Sequence, residues 1–521
     1  MNAAPRTLRH SLLAMIGICL VIMLIAVDST VVGTALPRIV AELQGFELYP
    51  WIASAYLMTN AVLIPISGRL GDLYGRKPFV MASVIIFTLA SVLCGMADSM
   101  LQLVLARGLQ GVGGGMLTGV AFACISDLFP DRLQRVRWQA MLSATFGIST
   151  AIGPALGGWM TEHLGWRSVF YVNVPIAALA IPVVWRYLPQ IVHHEGEDRS
   201  IDWVGAILLA VGVCTLLLAT EEGPTIGFTS PLFLGLALAA IVVGVLFVRH
   251  QMGSRFPIIP ARLFSNRAVR QLSLLGMMTG LMMFVLVFYA PLLLQGGFGL
   301  SPKAAGLVVT PLLVFITVGS IANGRLLPRL QKPERLIGWG LLLLMVGCLL
   351  LNLIRADSPQ ALSMLAFAMC GLALGFQLPN LTLHIQTVVE ARDLGISSAL
   401  IQTTRMLGSM LGASLAGVLV HLTYSNRITA ALAQAGVSHA EVARLLATPQ
   451  ILIRGEDQAA LQTLGQQLGF VPQALLDQAR DGLIAGVHYA FLACALIALA
   501  SFLLSRSLPP FVLHRPAGKP A

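Results

Sequence analysis

Fourteen apolar runs, most long enough to cross a bilayer as a helix, constrain this chain more than any other feature. They lie at 12–36, 50–67, 79–97, 100–124, 138–160, 168–185, 203–219, 231–248, 271–294, 304–324, 336–354, 361–383, 395–421 and 483–504. A span needs about 20 predominantly apolar residues, and inside lipid each backbone N–H and C=O must be paired within the protein. Runs of this length, in place of alternating ten-residue strands, select helices over a barrel. The expected fold is an all-α polytopic membrane protein with 14 transmembrane helices. Only 11% of the residues are charged, which excludes a soluble enzyme, a disordered regulator and a nucleic-acid-binding module.

The net charge of +10 comes from 33 Lys and Arg against 23 Asp and Glu. In polytopic proteins basic residues collect in the loops that stay in the cytoplasm. With a cytoplasmic N-terminus, twenty-three of the basic residues fall in cytoplasmic loops and tails, and only Arg38, Arg167, Lys303 and Arg355 in short external loops. Both termini are therefore expected in the cytoplasm. The first run is longer than a signal-peptide core and lacks an A-x-A-like cleavage site near its end, so it reads as an uncleaved helix. The seven cysteines sit far apart inside apolar runs, without CxxC or Cys/His spacing, so neither disulfides nor a metal site is expected. The stretch 422–482 reads as a long external loop with amphipathic pieces at 438–446 and 457–468. It is either a solvated loop or a docking surface for another protein, such as a periplasmic adaptor.

A weak repeat at a distance near 255 residues organises the rest. Gly68, Arg69 and Leu70 recur as Gly324, Arg325 and Leu326, and Gly153 and Gly157 recur as Gly408 and Gly412. The expected domains are an N-terminal six-helix half at 1–190, a cytoplasmic linker with two inserted helices at 191–255, and a C-terminal six-helix half at 256–521. Paired halves are the architecture of alternating-access transporters, whose substrate site lies near the midplane between them.

Asp28 is the only carboxylate deep in any span. A charge at the bilayer centre costs roughly 2.5 to 3.5 kcal/mol even on the lenient insertion scale, so stability alone does not place it there. It is either a structural partner for a buried arginine or a proton-coupling or cation-recognition group. Arg107 is the matching cation. Asp28 lies nine residues before Pro37 and Arg107 seven after Met100, so both sit roughly 10 to 14 Å inside the outer boundary at 1.5 Å per residue. Asp72, between Arg69 and Arg76, can pair locally or cap a neighbouring helix N-terminus. Glycines spaced by four at Gly111, Gly115 and Gly119, at Gly153 and Gly157, and at Gly408 and Gly412 let helix backbones approach closely. Pro154 removes a helix hydrogen bond. A substrate cavity lined by Asp28, Trp51, Tyr56, Met282 and Arg405 is expected. Gly113 to Gly115 is no phosphate loop, because no strand precedes it and no Lys-Ser/Thr follows. Without a nucleotide-binding domain, transport should be secondary, with no cofactor and an ion gradient as the driving force.

The residues also carry a family resemblance. Gly68-Arg69-Leu70-Gly71-Asp72-Leu73-Tyr74-Gly75-Arg76-Lys77 resembles the signature loop between helices 2 and 3 of the major facilitator superfamily. Asp28 through Pro37 resembles the first-helix motif of that superfamily's fourteen-helix drug:proton antiporter branch. Arg107-Gly108-Leu109-Gln110-Gly111-Val112-Gly113 resembles its helix 4 motif, and Gly153-Pro154-Ala155-Leu156-Gly157-Gly158 its antiporter motif. Trp166-Arg167, Asn173-Val174-Pro175 and Phe256-Pro257-Ile258 through Leu263-Phe264 add to the likeness. The resemblance implies a major facilitator fold and a proton-coupled exporter of small hydrophobic or cationic compounds in a bacterial inner membrane, acting as a monomer. It implies proton coupling at Asp28 and Arg107, and a cytoplasmic gate at Gly68, Asp72, Gly75, Arg76 and Lys77 that holds the outward-facing state closed. The second copy of the gate departs from the pattern, with Pro328 where Asp72 would recur and Gln331 where Gly75 would. The alternatives are a dedicated exporter of one metabolite or siderophore-like product and, remotely, an intramembrane enzyme, for which His384, His421 and His488 lack acidic partners at ligand spacing.

Overall fold

Apolar runs become helices of definite length where polar residues start them. Ser99, Asp131, Asp202, Ser230, Asn266 and Ser301 each accept a hydrogen bond from a backbone N–H two or three residues on, satisfying one of the orphan donors of a first helical turn. The computed structural model describes residues 8–43, 48, 51–129, 131–191, 200, 202–228, 230–437, 439–447, 449–452 and 455–510. The linker at 192–199, Ser438 and both chain ends lie outside them.

The helices are α1 (Leu8–Leu43), α2 (Trp51–Tyr74), α3 (Arg76–Gly95), α4 (Met100–Leu128), α5 (Arg132–His163), α6 (Ser168–Tyr171), α7 (Asn173–Tyr187), α8 (Trp203–Ile226) and α9 (Pro231–Gly253). They continue with α10 (Ala261–Ser265), α11 (Arg267–Leu292), α12 (Pro302–Leu326), α13 (Arg335–Leu353), α14 (Gln360–Val388), α15 (Leu394–Gln434), α16 (Ala440–Leu445), α17 (Gly455–Leu468) and α18 (Pro472–Ser505). Among the described residues fourteen segments are long and apolar enough to cross a membrane, α6 and α7 together forming one of them. Among the described residues there is no strand.

In the first bundle α1 packs on α5, and α4 lies between α2 and α3; in the second, α11 packs on α15 and α14 lies between α12 and α13. The glycines of the repeat explain the correspondence. A Cβ at Gly157 would come within 2.9 Å of the Val31 Cα on α1, and one at Gly412 within 3.0 Å of the Leu281 Cα on α11. The bundles meet along two seams, α2 against α15 and α5 against α12. The inserted pair lies on the first seam, where Leu209, Val213 and Leu217 of α8 join Ala61, Val62 and Met410. Its outer member α9 turns apolar side chains outward, with Leu238 62% and Ile241 64% exposed, as a lipid-facing helix must.

Two stretches differ from the sequence reading. The gap between the spans ending at 67 and starting at 79 is not a loop. Helix α2 runs on to Tyr74 and α3 starts at Arg76, leaving only Gly75, at φ 88°, outside a helix. Hydropathy registers the polar residues here, yet Asp72 and Arg76 are buried and pair internally. The second is 422–482, which is not a solvated loop. Helix α15 extends to Gln434 and α18 begins at Pro472. Between them Val442, Leu446, Ile451 and Leu461 are buried in the same core as Leu475 and Leu476 of α18. The amphipathic pieces found an apolar partner within the chain.

Candidate functional site

Asp28 is fully buried on α1, and Arg107 on α4 is 3% exposed. The Arg107 Nη1 donates to the Asp28 Oδ2 at 2.7 Å. Gln110, one turn along the same face of α4, donates to the Asp28 Oδ1 at 2.7 Å and accepts from Arg107 at 2.6 Å. Asn173, the first residue of α7, donates to the Asp28 Oδ1 at 3.0 Å. The Ser91 Oγ accepts from both Gln110, at 2.8 Å, and Asn173, at 3.2 Å. The guanidinium also lies 4.5 Å from the Tyr56 ring centroid, a cation–π contact, and its Nε donates to the Ile52 carbonyl at 3.3 Å. Breaking a buried ion pair typically costs 3 to 5 kcal/mol, because the remaining charge is left alone in a poor solvent. Chemically the site is a buried carboxylate whose two oxygens accept from Arg107, Gln110 and Asn173.

The depth estimate for Asp28 and Arg107 is therefore matched by direct contact. Gln110, Asn173 and Ser91 were not singled out from the sequence as carboxylate partners. Gln110 was detectable, since a position three residues after Arg107 shares its helix face; Asn173 on α7, and Ser91 on α3 behind it, come from helices whose placement around α1 and α4 is a tertiary fact.

The residues expected to form the gate make a second centre. Asp72 is fully buried, and its two oxygens accept the backbone N–H groups of Gly395 at 3.0 Å and Ile396 at 2.8 Å, at the N-terminus of α15. A carboxylate at a helix N-terminus also meets the positive end of the macrodipole. Gly68 and Gly395 permit the approach, since a Cβ on Gly68 would run into the Ala399 Cβ and one on Gly395 into the Asp72 carboxylate. Arg76 holds Asp72 at 2.9 Å and Asp127 at 2.6 Å, and donates to the Ala123 carbonyl at 2.6 Å. Lys77 donates to the Trp185 carbonyl at 2.6 Å. Thus Asp72 joins the two bundles across the α2/α15 seam, while Arg76 and Lys77 tie it to the first.

Of the antiporter-motif residues, Gly153 and Gly157 press on Thr30, Val31 and Thr34 of α1. Gly158 does not take part: a Cβ there would meet nothing within 4 Å, and Pro154 is exposed. A helix of 3.6 residues per turn puts these two on another face.

The cavity residues do not assemble into one cavity. Tyr56 is buried against Arg107. Met282 is fully buried in the core of the second bundle beside Val285 and Leu286. Trp51 packs on the cluster of Ile39, Ala97, Met100 and Trp166 at the far end of the first bundle from the gate. Arg405 is partly exposed on α15 and makes no side-chain ion pair or hydrogen bond among the described residues. Residue type alone could not tell which helix faces turn inward.

Comparison with known proteins agrees with this architecture. The Major Facilitator Superfamily profile matches residues 18–413. The chain is 34% identical over 414 residues to the multidrug transporter protein MdtP of Bacillus subtilis, covering 79% of this chain and 76% of that one. It is 30% identical over 479 residues to multidrug resistance protein 3 of the same organism, covering 92% and 91%. Among solved structures, the human organic anion transporter MFSD10 superposes with a TM-score of 0.65 at 14% identity, over 96% of this chain and all 100% of that one. The proton:xylose symporter XylE gives 0.59 at 12% identity, over 96% of each. At these identities the two structures speak for the fold. With a profile match over most of its length and multidrug transporters among its relatives, the chain belongs to the Major Facilitator Superfamily, in its multidrug-efflux branch, and is a transporter, not an enzyme.

Proposed function

We propose that the protein is a proton-coupled exporter of amphipathic or hydrophobic small molecules, cationic ones included, working by alternating access in a bacterial inner membrane with both termini in the cytoplasm. The single observation that carries this reading is the Asp28–Arg107 pair, fully enclosed and triply hydrogen-bonded in a span. While Arg107 faces it, Asp28 holds no proton. When the halves rock and the pair opens, an unpaired anion in a dry site costs several kcal/mol, and the carboxyl takes up a proton instead. Carrying one charge across the membrane then supplies about 2.3 kcal/mol per 100 mV. Asp72 capping α15 at the basic-loop end corresponds to a closed cytoplasmic side. The proton is the only coupling ion required, the bilayer is the solvent, and a monomer suffices because both halves are in one chain.

The test is transport by the purified protein in proteoliposomes with an imposed proton gradient. Uphill accumulation of lipophilic cationic dyes, with counterflow of protons, is expected. Accumulation that persists when the gradient is collapsed and no proton moves would end the reading.

A further inference from the structure

The seam between α5 and α12 holds a cleft of about 720 Å³, inside the 300–1,000 Å³ range of ligand sites. Its lining is sorted by height. Arg137, five residues into α5, and Arg325 and Arg329, at and just beyond the end of α12, form its rim at the basic-loop end. Met141, Ile321 and Ile148 line it farther in, Ile148 about 16 Å beyond Arg137 at 1.5 Å per residue. Among the described residues, none of the three arginines has a side-chain ion pair or hydrogen bond, and all three are exposed. The seam itself is tight at Gly324, where a Cβ would come within 2.8 Å of the Ala140 Cβ.

Closing this seam brings one half's Arg137 toward the other half's Arg325 and Arg329, like charges that oppose closure. The other seam solves the problem with Asp72. Here the position that would repeat Asp72 is Pro328, which lines the cleft and brings no charge. The inserted helices lie on the other seam. A negative group from outside the chain would offset that repulsion, and the cleft's shape suits one kind: a negative group at the rim with apolar matter running inward along the helices. Basic pockets between spans on the cytoplasmic side bind anionic headgroups.

We propose that the α5/α12 cleft binds one anionic phospholipid of the inner leaflet, its phosphate on Arg137, Arg325 and Arg329 and an acyl chain along Met141, Ile321 and Ile148, and that this lipid supplies the negative charge missing from the second gate. The lipid bridges the halves and favours closure of the cytoplasmic side. Binding stands by itself; the effect on closure rests on the alternating-access reading above.

Two measurements on the full chain separate these parts. Native mass spectrometry after purification from vesicles of equal parts phosphatidylcholine and phosphatidylglycerol reads binding. Spin labels on cysteines at Gln134 and Gln331, in a cysteine-free background, read the distance across the seam. One retained phosphatidylglycerol is expected, together with a closed population several-fold larger than in phosphatidylcholine alone. Arg137→Gln with Arg325→Gln and Arg329→Gln should remove both effects, and Lys at the three positions should restore them. Ile148→Trp, which leaves the arginines in place and fills the apolar path, should also lower retention. The proposal fails if the triple Gln protein or Ile148→Trp retains the lipid undiminished. It also fails if inorganic phosphate added to phosphatidylcholine vesicles closes the seam equally, since the site would then take a free anion. Retained lipid with an unmoved distance would overturn the closure role and leave the efflux reading untouched.

Discussion

A buried carboxylate depends on what faces it, and Asp28 is faced by Arg107, Gln110 and Asn173. Asp28→Asn removes both the charge and the proton it can carry while keeping the shape. Uphill proton-driven export should be lost, with substrate binding or downhill exchange retained. Arg107→Ala should abolish uphill export for the opposite reason: Asp28 then keeps a proton it cannot release. Both variants should lack proton release from detergent-purified protein on adding substrate, and stability tells them apart. Arg107→Ala also removes the guanidinium's contacts with the Tyr56 ring and the Ile52 carbonyl and should lower the unfolding temperature. Asp28→Asn that still concentrates substrate with proton release intact would remove Asp28 from coupling.

Among elements, the helix termini and helix seams do the work. Asp72→Asn replaces a charged cap on α15 and one of the two carboxylates on Arg76, a loss of about 1 to 2 kcal/mol. That shifts a two-state balance by a factor of roughly 5 to 30. The variant should insert normally but expose its cytoplasmic cavity more, as read by labelling of a cysteine placed there, and transport more slowly. Gly157→Leu drives a side chain into Val31 and Thr34 of α1; overpacking costs typically 1 to 3 kcal/mol, and the strain falls on the helix that carries Asp28. Lost or proton-leaky antiport at near-normal expression is expected, and tight export at the wild-type rate would place Gly157 away from a working seam. At the inserted pair, Asp202 caps α8 and accepts hydrogen bonds from Gln251 and His250 of α9. Burial pushes its carboxyl up, but the Gly205 N–H, His250 and Gln251 outweigh that and hold Asp202 below the usual carboxylate range. A lowered folded value means stabilisation that is complete above the unfolded value near 4 and lost as pH falls through the folded one. The stability deficit of Asp202→Asn, measured by thermal unfolding in detergent, should therefore be full at neutral pH and vanish in acid.

For the whole molecule the charge bias sets a frame that every depth estimate uses. In a cysteine-free background, a cysteine at Ala435, exposed just beyond α15, should react with an impermeant thiol reagent from outside intact cells. One at Ser254, at the end of α9, should react only after permeabilisation. The opposite sidedness would invert the gate and the lipid site together. The frame also explains the asymmetry of the two seams. One has a carboxylate of its own and two inserted helices against it; the other has three arginines and an open cleft.

The spans, their number and the pairing of halves were legible because hydropathy and the glycine repeat are local properties, averaged over twenty residues or set by spacing along one helix. Asp28 and Arg107 were legible for a related reason, since a charge in an apolar run is conspicuous and its depth is arithmetic. The fate of 422–482 was not, because an amphipathic piece reads the same whether its apolar face meets solvent, a partner or its own chain. Nor was the end of α2, where polar residues that pair internally look like a loop. The partners of the carboxylates belong to tertiary structure alone: Asn173 reaches Asp28, with Ser91 behind it, and Gly395 and Ile396 reach Asp72, from helices up to 324 positions away. So do the inward faces that hid Met282 and separated the expected cavity residues. Sequence determined what each helix contains, because composition and period are written along it. Packing decided which faces meet, because that choice depends on all the helices at once.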